Sequence, residues 1–417
     1  MSTEEFTNTD VTDVIEECSE FDQMGLSDQI LRGIYSYGWE KPSAIQQKAI
    51  KPLISGRDMI VQAQSGTGKT GSFSIGSIAR VDEEIKQPQV LMLSPVHDLA
   101  IQTYKIIQSI VTWSNIKATL LIGKGMGQTG GAGGGAGGAG GGSFARYSDR
   151  KDIPDPDFNA QIVVGTPGRV LDCIRRKKLR LADLRIFVLD EADEILSKGF
   201  KDQIRNIFSS IPQSTQITMF SATMPPEILE LTTSIMANPI KILVNQEELT
   251  LEGIKQFYVC VDSEQQKVDV LTDIYKTISI TQAIIFVNSK PKAIQLKETL
   301  EKMNYTISLI HGGFNQYERN DILDSFKNGH DRILIATDIL SRGIDIQQVS
   351  LVINFDMPFR VEQYIHRIGR SGRYGRKGVG INLISHQDAH VMKRIETYYA
   401  TQIDALPQNY GDYLSNQ

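Results

Sequence analysis

Two short segments of the chain contain the residue types that bind and hydrolyse a nucleoside triphosphate. The first, Ala63–Thr70, is a glycine-rich run that ends in Lys-Thr, and the second, Asp190–Asp193, follows the apolar run Ile186–Leu189. Backbone N–H groups of such a loop cradle phosphates, and its lysine and hydroxyl reach the terminal phosphates and Mg²⁺. Carboxylates behind a buried strand can hold the Mg²⁺ shell and polarise the attacking water. The pair therefore predicts an ATP-hydrolysing site.

Each residue of these segments has an expected role in that chemistry. Lys69 contacts the terminal phosphates, and Glu191 polarises the water that attacks them. Thr70 and Asp190 are the expected Mg²⁺ ligands, with ATP as the substrate. The rest of the loop is expected to bind ATP through its backbone; these residues are Ala63, Gln64, Ser65, Gly66, Thr67 and Gly68.

The composition indicates a folded protein in a reducing compartment. With 417 residues, 41% of them hydrophobic, the chain is long enough for two to three domains. No apolar stretch approaches the roughly 18 residues of a membrane-spanning helix, so no membrane partner is expected. Cys18, Cys173 and Cys260 lack the spacing of a metal site or a disulfide framework. Because the formal net charge is −5, a grip on nucleic acid has to come from local basic and amide groups.

Two segments are expected to lie outside the folded cores. Residues 1–20 are acidic and polar, unlike a secretion signal, and predict a disordered acidic tail. Residues 130–142 contain only Gly and Ala, in a glycine-rich run that begins near Gly123. Because ordering glycine costs much backbone entropy, a flexible insertion is expected at about 123–142. The basic cluster Arg175–Lys178 is interpreted as a solvated helix end.

Strand-like apolar runs alternate with amphipathic helical stretches in two successive sets. This rhythm is typical of a parallel sheet covered by helices, so the expected fold class is α/β with two parallel-sheet domains. A polar stretch predicts a linker at 244–253 between an N-terminal ATP-binding domain, 21–243, and a C-terminal domain, 254–417. The apolar runs are Met59–Val61, Val90–Leu93, Ile162–Val164, Ile186–Leu189, Ile217–Phe220, Ala283–Val287, Ile307–Ile310, Ile333–Ala336 and Leu351–Ile353.

Two further motifs could act on the same nucleotide. Ser221-Ala222-Thr223 follows another strand, where its hydroxyls can hydrogen-bond the carboxylates of Asp190–Asp193 and report nucleotide state. In the second half, which has no phosphate loop, His366–Arg373 offers three guanidiniums on a Gly-interrupted turn. Cations beside a transferring phosphoryl group neutralise transition-state charge, an effect of about 10³–10⁵ in rate.

The chain resembles the DEAD-box RNA helicases and, within them, the eukaryotic translation initiation factor four-A group. The resemblance runs from Phe21 to the C-terminus. Gly38–Gln46, Gly-Trp-Glu-Lys-Pro-Ser-Ala-Ile-Gln, looks like the family's adenine-reading Q motif. It implies that Gln46 hydrogen-bonds the adenine edge and that Phe21 stacks on the base.

The resemblance also implies two RecA-like domains that close around ATP and single-stranded RNA. Arg370 and Arg373 would be the arginine fingers from the second domain. Gly343 and Asp345 match positions near the γ-phosphate and the ribose. The residues implied to couple nucleotide state to closure are Asp193, Ser221, Thr223 and His366.

The residues implied to bind RNA contact its backbone rather than its bases. Such contacts address phosphate and the 2′-OH, so binding of single-stranded or duplex RNA should not depend on base sequence. The matching positions are Thr166, Gly168, Arg169, Gln316, Arg319 and Thr337.

Two departures from the family pattern concern residues that bind the RNA backbone. Where the family usually has Pro-Thr-Arg-Glu-Leu-Ala, this chain has Pro-Val-His-Asp-Leu-Ala at 95–100, with His97 in place of a permanent cation. The expected Gly-Gly doublet is Gly123-Lys124-Gly125. Since neutral His97 is a poor substitute for arginine, the ATP site is expected to be intact and the RNA grip of the first domain weakened.

Three functions stay open from the sequence. The first is an ATP-dependent RNA helicase that separates strands locally, in translation initiation. The second is an ATP-gated RNA clamp in a nuclear exon-junction or RNA-processing complex, and the third is a regulatory paralogue with weak RNA coupling. The resemblance implies an initiation-factor scaffold or another RNA-processing protein as partner. A cytoplasmic monomer is expected, with the nucleus as the alternative location.

Overall fold

The structure is a computed structural model of the 417-residue chain. No helix among the residues described is both long enough and apolar enough to cross a bilayer. The residues described are 16–63, 67–123, 155–197, 199–224, 226–243, 254–277, 282–314, 316–338, 349–371, 378–399 and 401–407.

The first half of the chain folds around a seven-stranded sheet with the order β3-β4-β2-β5-β6-β1-β7. Strands β2 to β6 pair in parallel, and β1 lies beside β6. The strands are β1 (Met59–Gln62), β2 (Val90–Leu93), β3 (Ala118–Leu121), β4 (Ile162–Gly165), β5 (Ile186–Leu189), β6 (Gln216–Ser221) and β7 (Ile240–Leu243).

Helices connect these strands. α2 follows a Ser43 N-cap and α3 follows Gly68, so both begin at polar or glycine positions that satisfy a helix start. The helices are α1 (Asp28–Ser36), α2 (Ala44–Ser55), α3 (Lys69–Ile78), α4 (His97–Ile110), α5 (Pro167–Arg175), α6 (Ala192–Ser197), α7 (Lys201–Phe208) and α8 (Pro226–Ile235).

The second half repeats the architecture with the strand order β10-β11-β9-β12-β13-β8-β14, and its pairs are parallel. The strands are β8 (Ile254–Cys260), β9 (Ala283–Phe286), β10 (Ile307–Ile310), β11 (Ile333–Ala336), β12 (Leu351–Asn354), β13 (Gly378–Ile384) and β14 (Asp404–Ala405). The helices are α9 (Glu264–Thr277), α10 (Lys290–Glu301), α11 (Gln316–Lys327), α12 (Val361–Ile368) and α13 (Ala389–Tyr399).

Burial explains why these strands form. Strands β2, β4, β5 and β9 to β12 are buried along their whole length, as expected for parallel strands covered on both faces. The chain divides into two compact units near Ile242, with the second made chiefly of the residues from Leu243 onward. The predicted α/β class with two parallel sheets is therefore confirmed. The predicted linker, 244–253, lies outside the described residues.

The described residues begin inside the segment, 1–20, predicted to be a disordered tail. Glu16 and Glu17 form ion pairs with Lys51 (2.5 Å) and Lys48 (3.4 Å) of α2. Cys18 is buried, and its N–H donates to the carbonyl of Gln47. Acidic residues 16 and 17 thus have basic partners on α2, which composition alone could not reveal. Residues 1–15 lie outside the described part of the chain.

Candidate nucleotide and RNA sites

The predicted phosphate loop joins β1 to α3, and its last glycine allows a close approach of the backbone to α2. Gly68 has φ 108°, in the left-handed region that favours glycine. A Cβ at this position would collide with Ser43 Oγ and come within 3.1 Å of Gln46 Nε2. Lys69 follows as the first residue of α3 and is buried. The amide groups at this helix start are in the arrangement that binds anions.

Gln46 is held beside this loop by both ends of its carboxamide. Its Oε1 accepts from the Ser43 N–H at 2.8 Å, and its Nε2 donates to the Gly68 carbonyl at 3.4 Å. A Cβ at Gly71 would collide with Nε2 and come within 2.8 Å of the Trp39 ring. Trp39 is partly exposed. The Q-motif residues therefore lie against the first turn of the phosphate-binding helix.

The predicted carboxylates follow β5, two strands from β1 in the sheet. Asp190 is buried, and its N–H donates to the Leu93 carbonyl at 2.9 Å. Glu191 has φ 48°, a conformation uncommon for a residue with a Cβ and frequent at functional sites. Its Oε1 lies 3.6 Å from Lys69 Nζ, and both side chains are 5% exposed. The structure therefore brings the predicted phosphate-binding lysine and the predicted base together.

The charge balance of this cluster is unusual. Burial, and then the negative charge of Glu191, raises the pKa of Asp190 to about 7, although Lys69 opposes the shift. Carboxylate and hydroxyl oxygens are the donors that Mg²⁺ prefers, and a divalent cation would relieve the repulsion between buried carboxylates. Asp190 and the partly exposed Thr70 at the start of α3 therefore fit this ion.

The hydroxyl residues at the end of β6 and just after it contact Asp193, the last carboxylate of the cluster. The Thr223 hydroxyl donates to Asp193 Oδ2 at 2.7 Å. Ser221 Oγ accepts from the Asp193 N–H at 3.3 Å and donates to the Thr223 carbonyl at 2.7 Å. Because β5, β6 and β1 are adjacent in the sheet order, groups that follow these strands meet at one edge of the sheet.

The predicted RNA-binding residues of the first unit follow β4. In the strand order β4 lies on the opposite side of β5 from β1. Thr166 is the N-cap of α5, and Gly168 is exposed in its first turn. Arg169 is ion-paired with Asp172 at 3.0 Å, which also holds Arg176 at 2.6 Å. A phosphate would compete with Asp172 for Arg169.

The two departures from the family pattern are neighbours in the fold. His97 is the first residue of α4, after β2, and Gly123 follows β3. A Cβ on Gly123 would lie 3.6 Å from the His97 imidazole. The changes at 95–100 and at 123 thus affect one local surface.

In the second unit, basic groups gather after β9 and β10. Arg319 of α11 donates to the Gly312 carbonyl at 3.4 Å. Lys290 Nζ lies 2.6 Å from the position that a Cβ of residue 313 would occupy. Thr337 follows the neighbouring β11, and its N–H donates to the Ile310 carbonyl. Lys290 was not predicted as a site residue, although a lysine at a helix start after a buried strand is a usable signal.

The predicted arginine motif lies at the end of α12. His366 and Arg370 are buried, and Arg370 Nε donates to the His366 carbonyl at 3.4 Å. Arg367, one of the three guanidiniums of this motif but not one of the two predicted fingers, is fully buried and donates to four oxygen acceptors. These are Asp338 Oδ1 (2.7 Å), Asn354 Oδ1 (3.3 Å), the Asp356 carbonyl (2.8 Å) and Asn288 Oδ1 (2.7 Å).

Comparisons with known proteins agree with this geometry. Residues 43–231 match the family described as DEAD/DEAH box helicase, and residues 266–375 match the helicase conserved C-terminal domain. The chain belongs to the DEAD/DEAH-box helicase family. This DEAD-box protein is 49% identical to a Candida glabrata protein named ATP-dependent RNA helicase eIF4A, over 99% of each chain. It is 49% identical to a Saccharomyces cerevisiae eIF4A over 95% of this chain and 94% of the relative.

Solved structures give the same result for the fold. S. cerevisiae Dbp5 bound to RNA and ADP BeF3 matches with a TM-score of 0.82 and 34% identity. The match covers 96% of this DEAD-box protein and 98% of Dbp5. The predicted DEAD-box family, the initiation factor four-A group and the RecA-like fold are therefore confirmed.

Phe21 does not have the surroundings that the resemblance implied. Its ring is fully buried, with its edge against Tyr35 at a centroid distance of 6.3 Å. Stacking on adenine would require one face of this ring to become exposed, and this role of Phe21 stays a prediction. The Trp39 ring and Gln46 Nε2 both lie close to Gly71.

Several predicted site residues lie outside the described part of the DEAD-box chain, and their roles stay predictions. Gln316 begins α11, and only its backbone is described. The residues outside are Gln64, Ser65, Gly66, Gly343, Asp345 and Arg373, with most of the insertion predicted at about 123–142.

Proposed function

We propose that this DEAD-box protein is an ATP-dependent RNA helicase that separates RNA strands locally during translation initiation. One observation carries the proposal: a helix-start lysine, Lys69, lies 3.6 Å from Glu191 in a buried carboxylate cluster. The curated relatives of near-full-length match have the same activity in their names. Those names favour the helicase over the clamp and the regulatory paralogue.

ATP hydrolysis follows from this cluster. Lys69 and the backbone of Ala63–Gly68 hold the phosphates, and Glu191 accepts the proton of the attacking water. Thr70 and Asp190 would hold Mg²⁺, which neutralises phosphate charge when bound. Arg370 and Arg373 would stabilise the transferring phosphoryl group.

We assign recognition of the adenine base to Gln46. A carboxamide has both a donor and an acceptor and can pair with the adenine edge. The contacts that now hold it, from Ser43 and to Gly68, keep it beside the phosphate loop. Gly343 and Asp345 are proposed to lie near the γ-phosphate and the ribose. Asp193, Ser221, Thr223 and His366 are proposed to couple nucleotide state to RNA binding.

RNA binding is assigned to groups that follow β4, β10 and β11. Thr166, Gly168 and Arg169 offer a helix start and a guanidinium to the RNA backbone. Gln316, Arg319 and Thr337 are proposed to do the same in the second unit, with Lys290 as an added cation. Phosphate and 2′-OH contacts give binding that is independent of base sequence.

We propose that RNA binding is weakened because His97 stands where the family pattern has a permanently charged arginine. An arginine at 97 would add a permanent charge beside Gly123, so His97→Arg should tighten RNA binding and steepen its salt dependence by about one phosphate contact. Equilibrium binding of a single-stranded RNA over a salt series measures both. Unchanged affinity and slope would refute this assignment.

Domain limits, partners and location complete the proposal. The first domain is assigned to 21–243, with residues 16–20 attached to it, and the second to 254–417. An initiation-factor scaffold, a monomeric state and a cytoplasmic location are proposed from the eIF4A likeness. A nuclear exon-junction role is not favoured by the relatives' names.

The decisive experiment is steady-state ATP hydrolysis with and without single-stranded RNA, beside a strand-separation assay on a short duplex. RNA-stimulated turnover and ATP-dependent strand separation, both lost in Glu191→Gln, are expected. Stimulated turnover without strand separation would favour the clamp. Hydrolysis that ignores RNA would favour the regulatory paralogue.

A further inference from the structure

Three neighbouring strands of the second unit carry a buried polar residue among apolar ones. Asn354 of β12 and Asn382 of β13 are fully buried and face each other in register. Gln256 of the next strand, β8, is 8% exposed. A buried amide costs free energy unless its hydrogen bonds are made. The bonds these amides make therefore indicate why polar residues occupy the sheet.

These amides belong to a chain of hydrogen bonds whose first donor is Arg367. Its Nη1 donates to Asn354 Oδ1 at 3.3 Å, and Asn354 Nδ2 donates to Asn382 Oδ1 at 2.8 Å. Asn382 Nδ2 then donates to Tyr364 Oη at 3.2 Å and to the Phe257 carbonyl at 2.9 Å. With both amide hydrogens of Asn382 engaged, the orientation of its carboxamide is fixed.

The chain continues from α12 to the segment after α13. Tyr364 Oη donates to Gln256 Oε1 at 2.9 Å, and Gln256 Nε2 donates to Thr401 Oγ1 at 3.1 Å. We call these six residues the polar relay: Arg367, Asn354, Asn382, Tyr364, Gln256 and Thr401.

Every bond of the polar relay points the same way. Each member donates to the next, starting from a guanidinium that is permanently charged. Hydrogen bonds in such a series polarise one another in a low-dielectric interior, so the loss of one weakens its neighbours. Burial raises the pKa of Tyr364, which keeps its hydroxyl a donor. The relay is therefore one connected unit rather than separate bonds.

Tyr364 occupies the central position of the relay. It is 1% exposed and lies on α12 one turn before Arg367, so both side chains are on one face of the helix. Its hydroxyl ties α12 to β13 and β8 at once. Arg370 follows within the next turn, so the rotation of α12 sets where this arginine is presented.

We propose that Tyr364 is a positioning residue for ATP hydrolysis, acting through the polar relay to hold α12 in the orientation that presents Arg370. This inference rests on the proposed function, in which Arg370 stabilises the transferring phosphoryl group. Tyr364 itself touches no reacting atom. Its removal should lower turnover without changing how well ATP binds.

The test compares Tyr364→Phe with Tyr399→Phe in the full chain. Tyr399 is also buried, and its hydroxyl donates to the Val361 carbonyl at 3.3 Å, at the opposite end of α12. Both variants lose one buried hydroxyl, but only Tyr364 belongs to the relay. RNA-stimulated kcat should fall about tenfold in Tyr364→Phe, with KM for ATP within about twofold. Tyr399→Phe should keep kcat within about twofold of wild type.

A double-mutant cycle separates positioning from general loosening. If Tyr364 acts through Arg370, adding Tyr364→Phe to Arg370→Ala should cause no further loss of kcat. Equal losses in both tyrosine variants, an unchanged kcat in Tyr364→Phe, or multiplicative losses in the cycle would overturn the inference. A wild-type chain without ATP hydrolysis would overturn the proposed function itself and this inference with it.

Discussion

Two aspartates that follow buried strands, Asp190 after β5 and Asp356 after β12, have pKa values shifted in opposite directions. Burial and the charge of Glu191 raise the pKa of Asp190 to about 7. Burial also acts to raise the pKa of Asp356, but hydrogen bonds from Lys292 and the Asn288 N–H, with the charge of Lys267, outweigh it and lower the pKa. The first cluster has an excess of buried negative charge, whereas the second contains its own cations.

The two sites also differ in what packs around them. On either side of Lys69, the glycines at 68 and 71 allow the backbone and Gln46 to approach closely. Beside Asp356, side chains fill the space: Lys267 is 3.2 Å away, and Arg367 donates to the Asp356 carbonyl at 2.8 Å. The comparison teaches that the first edge has buried negative charge that a bound cation would offset, while the second is a completed structural unit.

The largest expected effect concerns the first edge. Glu191→Gln removes the general base but keeps the shape of the side chain, so kcat should fall about 10²–10⁴-fold while ATP binding is retained. Steady-state hydrolysis and nucleotide titration measure the two quantities. Glu194→Gln, in the helix α6 that follows Glu191, is the matched control and should keep near-normal turnover. Comparable losses in both variants would count against the assigned base.

The next effect contrasts the two aspartates directly. Asp356→Asn leaves the buried Lys267 without its carboxylate, so unfolding free energy should fall by about 3 kcal/mol, the low end for a broken buried pair. Glu264 still forms ion pairs with Lys267 and Lys292, which limits the loss of unfolding free energy. Asp190→Asn removes an unfavourable buried charge and should leave stability unchanged or higher.

Urea unfolding of both variants, followed by far-UV circular dichroism, checks this pair. A loss of stability in Asp190→Asn as large as that in Asp356→Asn would show that the first cluster is as self-sufficient as the second. The comparison between the two edges would then fail.

A smaller effect tests the space beside the phosphate loop. In Gly71→Ala the new methyl group collides with Gln46 Nε2 and approaches the Trp39 ring, so Gln46 must move. ATP affinity should fall about tenfold, with discrimination against GTP reduced, because the adenine contact is lost. Gly123→Ala, where a Cβ meets only ordinary contacts at 3.6 Å, is the control for nucleotide binding. ATP and GTP affinities that both stay at their wild-type values in Gly71→Ala would refute the assignment of Gln46.

The smallest effect is a pH dependence of the second edge. The folded pKa of Asp356 lies below its ordinary value of 3.8, so its stabilisation is complete above pH 3.8 and is lost as pH falls through the folded pKa. Because the asparagine of Asp356→Asn does not titrate, the stability difference between wild type and this variant should narrow as pH falls from 3.8 through the folded pKa of Asp356. Urea midpoints measured across that range provide the check. A constant difference would mean that the lysines do not hold the carboxylate as described.

Much of this fold could be predicted because parallel, doubly covered strands are continuous apolar runs. The runs predicted at Val90–Leu93 and Leu351–Ile353 became β2 and β12 almost residue for residue. Strands β8 and β13 were missed because polar residues and glycines interrupt them. Gln256 and Asn382, which broke the apolar pattern, are the relay residues, so the same feature that hid the strands marks their role.

The candidate site also has features that the sequence could predict and others that it could not. The meeting of Lys69 with Glu191 could be predicted, since both follow strands of one parallel sheet and the ends of such strands share an edge. The burial of Arg367 could not be predicted, because three arginines at a spacing of three do not reveal which one the core encloses. The burial of Phe21 was missed for a related reason: its place in a motif gives no information on what packs over its ring.

The far edge of the second sheet has a consequence for how the protein behaves among its own copies. β8 is seven residues long, and the strand outside it, β14, contains only Asp404 and Ala405, both exposed. Long, flat edge strands are templates for pairing with another chain, whereas short and charged ones resist it. β14 covers Phe257 and Tyr258 and offers little backbone beyond them. β14 itself is therefore a poor template for pairing with another copy of the chain.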